Sequence, residues 1–87
     1  RKNDMAVNLY SGITYMEEEE YQNASNSFNQ IIENNNNLFV EHAKWYLALC
    51  YVVTEEYHHA EKLLNELLIE STYYKKDARQ MLKDIQK

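Results

Sequence analysis

Apolar residues recur along this chain at gaps of three and four, the spacing of one helix face. Between Tyr21 and Glu33 that face is Ala24, Phe28, Ile31 and Ile32. A similar pattern runs from Met5 to about Glu17. The run Asn34-Asn35-Asn36-Asn37 breaks it, and asparagine suits loops and helix starts because it tolerates left-handed backbone and caps N–H groups. The pattern resumes over Leu38–Val53, Tyr57–Glu70 and Tyr73–Gln86, the last preceded by Ser71 and Thr72, either able to act as N-cap. Five helices on short links fold back as antiparallel neighbours, so the prediction is all-α.

The pattern also repeats. Tyr10, Tyr15 and Tyr21 recur 36 residues later as Tyr46, Tyr51 and Tyr57. At the same offset Gly12 meets Ala48, Ala24 meets Ala60, Phe28 meets Leu64, and Ile31-Ile32 meets Leu67-Leu68. Six of the eight tyrosines share this register. The predicted organisation is one domain over residues 1–87: a first unit at about 4–36, a second at about 38–71, and a closing helix at about 73–86. Small residues at Gly12, Ala48, Ala24 and Ala60 predict close helix crossings, with the tyrosines, Phe28 and Leu64 filling the space around them.

Composition narrows the class further. There is no proline and one glycine among 87 residues, which disfavours a turn-rich β architecture. The formal net charge is −5, so the basic footprint of a nucleic-acid binder is missing and anionic membranes are disfavoured. No apolar run reaches the roughly 18–20 residues of a membrane span. The lone Cys50 has no partner for a disulfide or a thiolate metal site and reads as a packing residue. The chain begins at Arg1 without a methionine, as an excised piece does, so compartment stays open between cytoplasm and, for a bacterial source, periplasm.

With these residues in place, the chain resembles the tetratricopeptide repeat family. Trp45, Ala48, Tyr51, Tyr57, Ala60, Leu64 and Leu67 follow that family's order of aromatic, small and apolar positions, as do Gly12, Tyr15, Tyr21, Ala24, Phe28 and Ile31 in the first unit. The stretch Ala43–Leu68 looks most like bacterial repeats. The resemblance implies a right-handed α-solenoid fragment, and a protein-binding rather than a catalytic role. The period is 36 instead of the family's usual 34, with the excess assigned to the asparagine loop. The inter-helix turn, usually a glycine in this family, carries Glu19 and Glu55, which predicts a different turn geometry because a non-glycine left-handed residue costs roughly 1–2 kcal/mol.

In the family the first helix of each unit lines a concave surface. Ala6, Leu9, Ile13 and Met16 form one stripe on the first such helix. The 36-residue offset gives His42, Trp45, Leu49 and Val52, then Ala78, Met81 and Ile85. The predicted partner-binding residues are therefore Leu9, Ile13, Met16, His42, Trp45, Leu49, Val52, Met81 and Ile85, with Trp45 central. Aromatic residues and methionine are favoured interface anchors, and a protein or peptide segment with apolar anchors suits such a groove. Packing against another repeat, or self-association into a homo-oligomer within a scaffold or envelope assembly, is the alternative. The stripes lack the donors that family members use to grip an acidic chaperone tail, so such tails are not expected to bind.

The remaining polar clusters carry weaker signals. Adjacent His58 and His59 point about 100° apart on a helix and do not form a two-histidine metal motif. Glu17–Glu20 reads as a solvated turn and Asn34–Asn37 as a tolerant surface linker. No Gly-rich phosphate loop and no histidine–nucleophile spacing appears, so no catalytic residue, metal or cofactor is predicted.

Overall fold

The computed structural model describes residues 4–86, and there the chain is all-helical. Five helices follow one another: α1 Met5–Glu17, α2 Tyr21–Glu33, α3 Val40–Val53, α4 Tyr57–Glu70 and α5 Lys75–Ile85. Each packs against the next, and α1 also touches α3. Helices α1, α2 and α4 match their periodicity, while α3 and α5 start two residues later than expected. The reason is capping. Asn37 accepts the Phe39 N–H at 2.8 Å, and its amide donates to the carbonyls of Ile31 (3.1 Å) and Asn34 (2.7 Å). One side chain thus closes α2 and prepares α3, so this residue is more than tolerant linker. At α5, Ser71 Oγ accepts from the N–H groups of Tyr73 and Tyr74, holding them in a capped turn ahead of the helix. At α1, Asp4 accepts from the N–H groups of Ala6 and Val7.

The two three-residue links are the same structure. Glu19 and Glu55 both have φ 62°, the left-handed region. The Glu20 N–H bonds to the Tyr15 carbonyl at 2.8 Å and the Glu19 N–H to Met16 at 2.9 Å. The Glu56 N–H bonds to Tyr51 at 2.7 Å and the Glu55 N–H to Val52 at 3.1 Å. These are Schellman closures, which satisfy the last carbonyls of a helix. The expectation of another geometry is thus corrected: the turn that favours glycine forms here on glutamate, because its hydrogen bonds offset the steric cost. Glu19→Gly and Glu55→Gly should each stabilise the fold by about 0.5–1 kcal/mol, net of the extra entropy glycine gains when unfolded. Thermal melts should rise by several degrees per substitution and nearly additively in the double variant. A fall in melting temperature would contradict the assigned backbone.

Two core clusters lie along the molecule. The first holds Met5, Ala24, Phe28, Ile31, Ala43, Leu47 and Cys50. The second holds Ala48, Ala60, Leu64, Leu67, Ala78 and Leu82. Phe28 stacks on Tyr46 with ring centroids 5.8 Å apart. Ala24 and Ala60 are completely buried, as expected of crossing points. Ala60→Leu should overpack the second cluster and cost about 1–3 kcal/mol, read as a lower urea midpoint. Cys50 is buried, and burial pushes its thiol up to about 11, so it is a packing residue rather than a nucleophile.

The 36-residue offset does not extend to α5. It would pair completely buried Ala78 with half-buried His42, and buried Leu82 with half-buried Tyr46. The buried residues of α3 with the same gap are Ala43 and Leu47, 35 residues earlier. The cause is chain length: α3 starts 19 positions after Tyr21, but α5 starts 18 positions after Tyr57. One residue fewer turns a helix face by about 100°.

Candidate functional site

All nine side chains expected on the binding surface are half-buried: Leu9, Ile13, Met16, His42, Trp45, Leu49, Val52, Met81 and Ile85. Leu9, Ile13 and Met16 on α1 pack against the first core cluster. Trp45, Val52, Met81 and Ile85 pack against the second. Leu49 belongs to neither cluster. At the 35-residue offset the positions on α5 that continue Trp45 and Leu49 are Gln80 and Asp84. Both are exposed, and the Gln80 amide donates to the Asp84 carboxylate at 3.0 Å. The α5 positions at that offset are therefore polar, while Met81 and Ile85 pack against the second core cluster as Trp45 and Val52 do.

His42 and Trp45 are held by residues outside the predicted set. Trp45 stacks on Tyr74, centroids 5.3 Å apart and planes at 14°. His42 Nδ1 lies 2.6 Å from the Tyr74 hydroxyl, and its ring stacks on Tyr73 at 5.3 Å. Burial foremost, with the nearby Tyr46, Glu41 and Asp77, raises the Tyr74 phenol above its ordinary value, so it stays neutral. Tyr73 and Tyr74 are the two tyrosines outside the 36-residue register, and that departure was the available signal for a separate role.

Beneath these rings Glu41 of α3 accepts three hydrogen bonds: from Ser71 Oγ at 2.6 Å, Thr72 N–H at 3.0 Å and Tyr73 N–H at 3.1 Å. Burial alone pushes its carboxyl up, but the bonds from Ser71, Tyr73 and Thr72 outweigh this and hold it below its ordinary value. The carboxylate completes the cap that Ser71 begins, where unpaired N–H groups favour a negative charge. It fixes the Tyr73-Tyr74 pair over His42 and Trp45.

His58 and His59 are both exposed. Among the described residues no three histidine, cysteine or carboxylate side chains gather as metal ligands. No helix among them is long and apolar enough to cross a membrane. The fold and this surface define a class, an all-helical protein with a half-covered apolar and aromatic band. No protein-family model, curated protein or solved structure matches the chain.

Proposed function

We propose that this chain is a tetratricopeptide-like helical-repeat module that holds a protein or peptide segment through the apolar band of α1 and α3, without catalysis. The observation that carries this reading is that Leu9, Ile13, Met16, Trp45, Leu49 and Val52 are all half-buried and none is sealed. Core positions of the same helices, such as Ala43 and Leu47, are sealed. Apolar side chains left half-open in a row are suited to finishing their burial against a partner.

Three features support the repeat arrangement behind it. Two hairpins close with identical turns 36 residues apart. First helices touch, as α1 does α3. The Cα extents are 43 × 27 × 16 Å. The smallest suits two helix layers, given an interaxial spacing of about 8–10 Å and a Cα radius near 2.3 Å.

Leu49 offers the clean test because it lies outside both core clusters. Leu49→Lys should change stability by less than about 1 kcal/mol while abolishing capture of the partner by the full chain. A partner captured equally well by Leu49→Lys and by a Leu9→Ala, Ile13→Ala variant would place binding elsewhere. Concentration-dependent dimerisation that Leu49→Lys removes would assign the band to self-association instead.

A further inference from the structure

A cleft on another side of the molecule has a different chemistry. It lies between α2 and the C-terminal end of α3, encloses about 190 Å³, and is bordered by Tyr21, Gln22, Ser25, Asn29, Tyr51, Thr54 and Glu56. None of these belongs to the band above. The volume is well under the roughly 300–1,000 Å³ of sites that take whole ligands, so it suits one side chain. Its lining holds two tyrosine rings, one carboxylate and no lysine or arginine. Glu56 Oε2 accepts from the Thr54 hydroxyl at 2.7 Å. Among the described residues Glu56 makes no ion pair, so its other oxygen is available. The Gln22 amide nitrogen donates to Asn26 at 3.3 Å, leaving the Gln22 carbonyl oxygen to accept. Burial first, and then the negative charge of Glu56, hold the Tyr51 phenol above its ordinary value, which marks that charge as close to the ring.

The geometry points to this cleft as a receptor for the guanidinium group of an arginine carried on a second protein segment. A planar cation with several N–H donors matches an unpaired carboxylate oxygen and a free amide oxygen set beside two tyrosines. Ammonium is a compact, more strongly hydrated charge and uses fewer of these features. The chain's net charge of −5 favours approach of a basic segment. The proposal does not depend on the band formed by α1 and α3.

The test is a titration of the ¹⁵N-labelled full chain with N-acetyl-arginine amide, followed by amide chemical shifts at low salt. The neutral isostere N-acetyl-citrulline amide, N-acetyl-lysine amide and free arginine serve as comparisons. Saturable shifts confined to residues 21–29 and 51–56 are expected. Blocked arginine should bind at least about 5-fold tighter than citrulline and tighter than lysine, since the charge and the fork both contribute. Glu56→Gln keeps an acceptor for Thr54 and should retain the full spectrum while weakening arginine binding about 3–5-fold. Equal binding of arginine and citrulline, unchanged affinity in Glu56→Gln, or no saturable shift up to about 50 mM overturns the proposal. Free arginine binding more tightly than the blocked form overturns the assignment to a chain-borne side chain.

Discussion

Phe28→Ala should lower the unfolding free energy by about 3–5 kcal/mol, against a total of roughly 4–13 kcal/mol for a domain of this length. The ring is completely sealed and joins α2 to both α1 and α3. It also occupies the space that Gly12 leaves. A Cβ on Gly12 would collide with Phe28 Cε1 and approach Cζ at 2.7 Å and Cδ1 at 2.8 Å. Such distances require the ring to move, and a sealed ring has no free direction. Gly12→Ala gains about 1 kcal/mol in helix propensity yet should destabilise by about 2 kcal/mol net. The second unit shows the solution to this conflict, since Ala48 shares a cluster with Leu64 in place of phenylalanine. Phe28→Leu in the Gly12→Ala background should therefore recover at least about 1 kcal/mol relative to strict additivity. Urea unfolding of the four proteins in this cycle measures the coupling, and additive losses would show that the two positions are independent.

The second large effect is expected at Glu41. Glu41→Ala leaves the Ser71 hydroxyl without its acceptor and strips two N–H groups at the start of α5 of their charged partner. Ser71 is buried, whereas Thr72 and Tyr73 are exposed and can turn to water, so the cost is about 2–3 kcal/mol rather than the sum of three charge-assisted bonds. The loss should fall on α5 first, seen as faster amide exchange there and as altered Trp45 fluorescence when Tyr74 loosens. The pH dependence follows from the sign of the shift. Because the folded-state carboxyl lies below its ordinary value, the unfolded chain binds this proton more readily. The contribution is complete above the unfolded value of about 4.3 and is lost as pH falls through the lower folded value. Wild type should accordingly lose more stability between about pH 6 and pH 3 than Glu41→Gln does. Parallel acid losses in the two proteins would remove Glu41 from the account.

The helices were legible because burial is periodic. Ala24, Phe28 and Ile31, set three and four residues apart, are all sealed in the structure. Their counterparts Ala60, Leu64 and Leu67, at the same spacing, are sealed as well. The starts of α3 and α5 were less legible, since Leu38 and Tyr73 look helical by type yet sit in capped loops, 89% and 68% exposed. A hydrogen bond from a side chain such as Asn37 or Ser71 decides those boundaries, and residue type alone does not specify which partner it takes. The band expected on α1, α3 and α5 consists of residues that are half-buried on all three helices. On α5 the 36-residue offset fails for the buried positions, because the stretch from the start of α4 to the start of α5 is one residue shorter than that from the start of α2 to the start of α3.

What the sequence determined alone was local: helix faces, the repeat register of the first two units, an acidic surface, and an inert cysteine. These depend on neighbours three or four residues away, or on residue type. The tertiary structure alone decided that Glu41 caps a turn 30 residues downstream, that Tyr74 covers Trp45 and His42, and that Tyr21 and Gln22 border one cleft with Tyr51 and Glu56. Contacts across such separations depend on how each connecting segment aims the next helix, and that aim is set by packing and capping geometry.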